Sequence, residues 1–528
     1  MSKYVYGIDL GTTYSCISYV DDTGRATVIN NVEGTDTTPS VVNFASPTNV
    51  VVGQVAKETA VIDPQNTVLL VKAKMGKNNF AINYNGKDKT PEEVSSYILR
   101  KLASDASKMI DSEVKDVVIT IPAYFGTAER EATKIAGDLA GLNVLAIISE
   151  PTAAAIYYGC TKEQESKTIL VYDLGGGTFD VTIMNISSGT IKVICSDGDH
   201  ELGGKNWDEV LMQHLENEFK SQTGFDGEFD EYAQQDLRLK AEKAKQQLSA
   251  KEEIPVMLDA AGLRAKINVS RTTFNEKTAS LLKITIDKTN SAIAIAKEKG
   301  YEVNEILLVG GSTYMLQVPE ALRKEYGMEP KILEPNQAVA KGAAIRASDI
   351  IHGNPLPPEP GECGTPNPLP PKPVRIGGVT SEEVIIIFAT TKSYALKAIV
   401  DDKPKCCNMI IKNEEMPDGK ISVTRQFGTY AANMKTAELV VYENDFMNEY
   451  FDVPDESLGT ASLELPGNLP AGAPIEVTFA LNEEGILEIT GRDLTSDKDV
   501  KATMQATGIM SKAKVEEIKA EIKDVVVM

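Results

Sequence analysis

The sequence predicts two kinds of folded unit in one chain: an α/β region over roughly the first 350 residues, then an all-β region followed by a short helix. Three observations carry this. Short β-branched runs alternate with helix-permissive stretches until about residue 350. Between Gly353 and Pro373 nine of 21 residues are proline, which excludes a packed helix or central strand and favours an extended spacer. Beyond it, strand-like runs recur between turn signals at 385–388, 409–411, 421–425, 437–442, 462–465, 475–481, 486–490 and 500–506, with a hairpin at 482–485. The stretch 511–524 is polar and helix-permissive, with Val515, Ile518 and Ile522 on one stripe. The expected division is 1–352, a spacer 353–383, a linker and β-domain 384–508, and a helical tail 509–528.

At 528 residues the chain exceeds one core and suggests two to four domains. The longest apolar run, near 384–388, is far too short to span a membrane. The N-terminus runs into a strand at 4–8 without a charged-then-apolar leader, so a cytoplasmic location is expected. The balance of 54 basic to 76 acidic residues gives −22, which excludes nucleic acid and anionic membrane as main partners. Six cysteines without a CxxC pair fit a reduced compartment and no zinc site. Only three histidines are present, His200, His214 and His352, so histidine-based catalysis has little support.

The first chemistry-bearing element is the pair of segments 6–13 (YGIDLGTT) and 171–178 (VYDLGGGT), about 160 residues apart. Each follows an apolar strand with Asp, a tight Gly turn and a hydroxyl. Gly11, Gly175, Gly176 and Gly177 let backbone N–H groups approach phosphate oxygens, and Thr12, Thr13 and Thr178 add donors. Asp9 and Asp173 can hold Mg²⁺ directly or through its waters. Two such hairpins suggest a duplicated fold gripping a nucleotide from both sides. A third turn, Gly310-Gly311-Ser312-Thr313, would reach the nucleoside. The predicted helix 236–249 puts Glu242, Lys245 and Ser249 on one face, where they could bond ribose or base or simply form a solvated surface.

Together with 118–125 (VITIPAYF), 150–155 (EPTAAA), 202–204 (LGG), 241–249 (AEKAKQQLS) and 308–313 (LVGGST), these segments resemble the seventy-kilodalton heat-shock chaperones over nearly the whole chain. The resemblance implies an actin-like, ribonuclease H-like duplicated ATPase domain and a β-sandwich that binds peptides. It implies ATP or ADP with Mg²⁺ and K⁺ as cofactors, unfolded or extended polypeptides as clients, and a J-domain co-chaperone and nucleotide exchange factor as partners. By position, Asp9, Asp173 and Glu150 would serve the metal, and Thr12, Thr13 and Tyr14 would line the phosphates. Gly203 and Gly204 would complete that lining. Lys72 would neutralise charge on the transferred phosphoryl group. Thr178 and Asp180 would position the attacking water and a monovalent cation, and Glu150 would couple the site to Pro122.

The sequence departs from the family where an adenine-stacking arginine becomes Tyr314, a ring that can also stack. A carboxylate near the nucleoside becomes Asn336, and the stretch 76–91 is shorter than in the family. Residues 384–388 (VIIIF) resemble the family's interdomain linker, with Phe388 in place of Asp; they could equally be one more buried strand. In the β-domain, whose 474–489 resembles a family hairpin, the resemblance assigns Cys406 and Tyr430 to an arch over the peptide and Ala437 to the central pocket. The family's helical lid has no counterpart beyond 511–524, so fast client release is expected. The principal reading is an ATP-dependent chaperone. The alternative is a nucleotide-dependent adaptor without refolding activity; a small-molecule kinase or polymerising ATPase would leave the β-region unexplained.

Overall fold

The structure, a computed structural model, describes residues 4–77, 80–160, 166–187, 190–352, 385–401, 403–496, 498–506 and 510–528. The Pro-rich spacer lies outside them. Two sheets of like topology build the first part. Across one run the strands Asn143–Ser149, Asp116–Ile121, Tyr6–Asp9, Tyr14–Val20 and Ala26–Val28. Across the other run Lys331–Ile332, Glu305–Val309, Lys167–Leu174, Phe179–Ser187 and Thr190–Asp199. In chain order both read fifth, fourth, first, second, third. In each, the first strand pairs antiparallel with the second and parallel with the fourth. The duplication suggested by the two Asp-Gly segments is thus present in the backbone.

The central strands are covered on both faces, which is why they are continuously apolar. Helices Glu150–Cys160 and Ala338–His352 pack together over a core drawn from both sheets, including Val5, Val118, Ile169 and Val171. A Cβ at Gly342 would lie 1.7 Å from the Ala153 carbonyl oxygen, so glycine sets how closely these helices approach.

The second part is a nine-stranded antiparallel system with its own core, including Leu396, Met409, Val441, Leu463, Val477 and Phe479. Every expected run after the spacer falls within or overlaps a strand, and the 482–485 turn closes a hairpin with Gly485 at φ 78°. Sequence reading passed over Ser393–Val400, whose Tyr394, Ala395 and Leu396 are buried. The linker strand Ile385–Ala389 joins the parts: it pairs in parallel with Thr190–Asp199 and antiparallel with Glu415–Met416. Helix Lys512–Ile522, capped by the Ser511 hydroxyl, buries Val515, Ile518 and Ile522 as the stripe predicted. It does so against the first lobe, and a short strand, Val526–Val527, follows it.

Candidate functional site

The two Asp-Gly turns face each other. A Cβ at Gly176 would lie 1.8 Å from Thr13 Oγ1, and one at Gly177 would lie 2.6 Å from Thr12 Cγ2. The Gly203-Gly204 turn abuts the second hairpin, with the Gly204 N–H donating to the Gly175 carbonyl at 2.9 Å. Ser312 Oγ donates to that same carbonyl at 2.8 Å, which brings the third turn to the site. Gly310 sits at φ 82° beside Asp173, a conformation and a closeness that favour glycine.

The predicted catalytic groups converge behind these turns. Lys72 is buried on the 3₁₀ turn Val71–Lys74 and bonds Glu150 at 2.5 Å. Its ammonium also lies 5.9 Å from the centroid of the Phe125 ring. Burial, then Glu150, pushes the Asp9 carboxyl up to about 7 while Lys72 holds it down. Burial, then Glu150 and Asp9, raises Asp173; burial, then Glu150 and Asp173, raises Asp180. Among the described residues Asp180 Oδ1 is buried without a hydrogen-bond partner. Four carboxylates against one ammonium leave an excess of negative charge that a divalent cation would offset. Among the described residues no three His, Cys, Asp or Glu groups are set to ligate an ion directly.

Helix Glu231–Leu248 carries the other predicted contacts. Lys245 is buried between Asp208 (2.8 Å) and the Gly204 carbonyl (2.9 Å), so it braces the glycine turn. Glu242 receives Lys57 at 2.6 Å and the Tyr14 hydroxyl at 3.1 Å, closing the cleft between lobes. Ser249 caps the helix's C-terminal end. Tyr314 is 45% exposed, while Asn336 lies against Gly311.

A sequence model of the Hsp70 protein family matches residues 5–356. The chain is 36% identical to the chaperone protein DnaK of Thermotoga petrophila over 534 aligned residues, covering 99% of this chain and 83% of that protein. The DnaK proteins of Thermotoga maritima and Thermotoga neapolitana match at the same identity and coverage. The chain belongs to the Hsp70 family. Members of this family are ATP-dependent chaperones that hydrolyse ATP with Mg²⁺, and the α/β plus β-sandwich architecture is theirs. No helix among the described residues is long and apolar enough to cross a membrane.

Within this Hsp70 chain the peptide-binding assignments need a correction. Cys406 is fully buried among Ala395, Tyr442 and Phe451, facing away from the main β-domain core, so it cannot arch over a peptide. Counting back from the hairpin 474–489 placed the arch on strand Lys403–Ile410, because the preceding strand Ser393–Val400 was not recognised. Tyr430, by contrast, is 83% exposed, and Ala437 is partly buried against the main core. On the unrecognised strand the exposed apolar side chain is Ile399.

Sequence reasoning also missed the contacts that join the two parts. Glu443, on strand Thr436–Asn444, accepts from Thr127 N and Thr127 Oγ1, both at 3.0 Å, at the start of helix Thr127–Leu139. Asn413 Oδ1 accepts from Ser196 N at 3.1 Å, and Lys299 Nζ donates to the Asn413 carbonyl at 2.6 Å. Lys192 pairs with Glu415 at 2.6 Å beside the linker strand. No local pattern marks these residues, because each finds its partner only after both parts have folded.

Proposed function

We propose that this Hsp70 protein couples ATP hydrolysis to the grip of its β-domain on extended apolar polypeptides, and that the described arrangement is the docked state of that cycle. The observation that carries this reading is the linker strand. Ile385, Ile386 and Ile387 pair with Thr190, Ile191 and Lys192 of the second lobe, while Phe388 and Ala389 pair with Met416 and Glu415 of the β-domain. One strand is hydrogen-bonded to both, so a lobe movement at the nucleotide is transmitted as backbone displacement. Phe388 fills the place of the family's Asp by packing against the β-domain core, which supports coupling rather than the adaptor alternative.

In this reading residues 1–352 form the ATPase domain and 384–508 the linker and β-domain. Gly11, Thr12, Thr13, Gly175, Gly176 and Gly177 supply N–H and hydroxyl donors to the phosphates. Tyr14 adds its hydroxyl, Gly203 and Gly204 complete the lining, and Gly310, Gly311 and Ser312 close the nucleoside side with Glu242, Lys245 and Ser249 behind. Tyr314 stacks on the base. Asp9, Asp173 and Glu150 would hold hydrated Mg²⁺, which when bound neutralises phosphate charge. Lys72, released from Glu150, stabilises the charge developing on the transferred phosphoryl group. Asp180, with its free buried oxygen, and Thr178 orient the attacking water and a K⁺ ion. The site has no trans-acting arginine in this scheme, so hydrolysis is slow. A J-domain protein and an exchange factor complete the cycle, in the cytoplasm. Tyr430 and Ile399, not Cys406, border the peptide site with Ala437.

The test is steady-state ATP hydrolysis by the wild type and Lys72→Ala, each with and without an unfolded apolar peptide. Peptide should stimulate the wild type and leave a nearly inactive Lys72→Ala unchanged. Hydrolysis indifferent to peptide would sink the coupled reading in favour of the adaptor.

A further inference from the structure

Residues 510–528 lie on the first lobe, and their strand completes the sheet from which Lys72 hangs. Val526 and Val527 pair in parallel with Asn49 and Val50. Val526 N and Met528 N donate to the Thr48 and Val50 carbonyls, and Val52 N donates to the Met528 carbonyl, each at 2.9 Å. The next strands across are Val42–Ser46 and the two-residue Thr67–Val68. Just beyond, Leu70 stands at φ 58°, and the 3₁₀ turn Val71–Lys74 buries Lys72. A leucine in left-handed conformation persists only where its surroundings over-determine it.

Those surroundings include the terminal segment. Val50, Val52, Val68, Val71 and Met75 share one core with Val515, Ile518, Ile522 and Val525. The Arg100 guanidinium fixes the segment by donating to the Ile522 carbonyl at 3.2 Å and the Val525 carbonyl at 2.6 Å. Lys519 pairs with Asp138 at 2.7 Å. Without the added strand, three short strands would end in an open edge, a weak platform for a strained turn.

We propose that the segment 510–528 is a positioning element of the ATPase: seated on the first lobe, it holds the Lys72 turn in its working geometry, with Arg100 as the residue that seats it. The inference rests on the role given to Lys72 above. The segment follows the β-domain strand Lys498–Ala506 in the chain.

The experiment compares full-length wild type with Arg100→Ala, Ile522→Asp and Arg100→Lys, reading kcat and KM for ATP together with amide hydrogen exchange over residues 49–52 and 67–74. In the first two variants exchange there should rise about tenfold or more, kcat should fall several-fold, and KM should barely move. Arg100→Lys, which keeps a cationic donor, should recover most of both. Faster exchange at unchanged kcat, a kcat loss without faster exchange, or no change in either overturns the proposal. If Ile522→Asp does not fold, Arg100→Ala decides alone. Lys72→Ala serves as the control: full activity there would remove the role of Lys72, while exchange would still report whether the segment holds the turn.

Discussion

Replacing Glu443 with alanine should loosen the β-domain from the ATPase domain while both stay folded. Helix Thr127–Leu139 starts from Gly126, which has no side chain with which to cap it. The carboxylate of Glu443 reaches across the domain boundary to do so, accepting two hydrogen bonds of 3.0 Å from Thr127. A hydrogen bond to a charged group contributes about 1.5–3 kcal/mol net. The helix N-terminus adds about 0.3–1 kcal/mol for a nearby anion. Opposing this, burial and then Glu443 raise the Glu129 pKa, so the two carboxylates repel. The balance leaves about 1–2 kcal/mol, or roughly a 5–30-fold shift toward the undocked form on removal. Proteinase K cleavage within Ile385–Ile387 reads this shift, since those residues are paired with Thr190–Lys192 of the second lobe only when docked and cleavage tracks the open population. Fluorescence of Trp207, buried in the second lobe, reports global unfolding separately. Cleavage should accelerate 5–30-fold at an unchanged unfolding midpoint, with Glu443→Gln in between. Unchanged cleavage, or cleavage that rises only with global unfolding, would refute the capping account.

Lys57→Ala removes the half-buried bridge to Glu242 across the cleft, and release of a fluorescent ADP analogue should quicken several-fold with little change in hydrolysis. Gly310→Ala places a Cβ 2.4 Å from Asp173 Oδ1 at φ 82°, so ATP affinity measured by calorimetry should fall at least about tenfold. His200, packed on the Tyr124 ring, is pushed down to about 4 by burial and by Lys392, with Lys412 adding and Asp445 and Asp199 opposing. Below its ordinary value of 6.5 the free imidazole takes up a proton that the docked one refuses, so docking weakens as pH falls from 6.5 toward 4. The effect is at most about tenfold per pH unit. Small-angle scattering at pH 7.5 and 5.5 should show the expansion, and His200→Gln should blunt it; an undiminished response would assign it to other groups.

The parts of this molecule that were legible in its sequence are those whose chemistry is local. Gly11, Gly176 and Gly310 are needed wherever a backbone must approach phosphate or a neighbouring strand, so they mark their turns unaided. The stripe Val515, Ile518 and Ile522 announced a helix because amphipathic spacing is a short-range property. It could not say which surface the stripe would meet, and it meets the first lobe, where Arg100 lies 422 positions upstream of Ile522. The arch assignment of Cys406 failed for the same reason in reverse. Which strand carries the arch, and which face each side chain takes, is fixed only by the sheet pairing, since a slip of one residue flips every side chain. Glu443, Asn413 and Lys57 carried no pattern at all, because their partners are 316, 217 and 185 positions away.

The linker strand has a consequence for solubility. When Ile385–Ala389 leaves, Thr190–Asp199 becomes a bare sheet margin flanked by apolar Ile191 and Val193, a template on which a second chain could add a strand. Lys192 sits in the middle of that margin and then loses Glu415, so its ammonium is left uncompensated. An unpaired lysine on an open margin repels an incoming copy bearing the same charge. The residue that steadies the docked molecule is thus also the one that protects the undocked molecule from self-association.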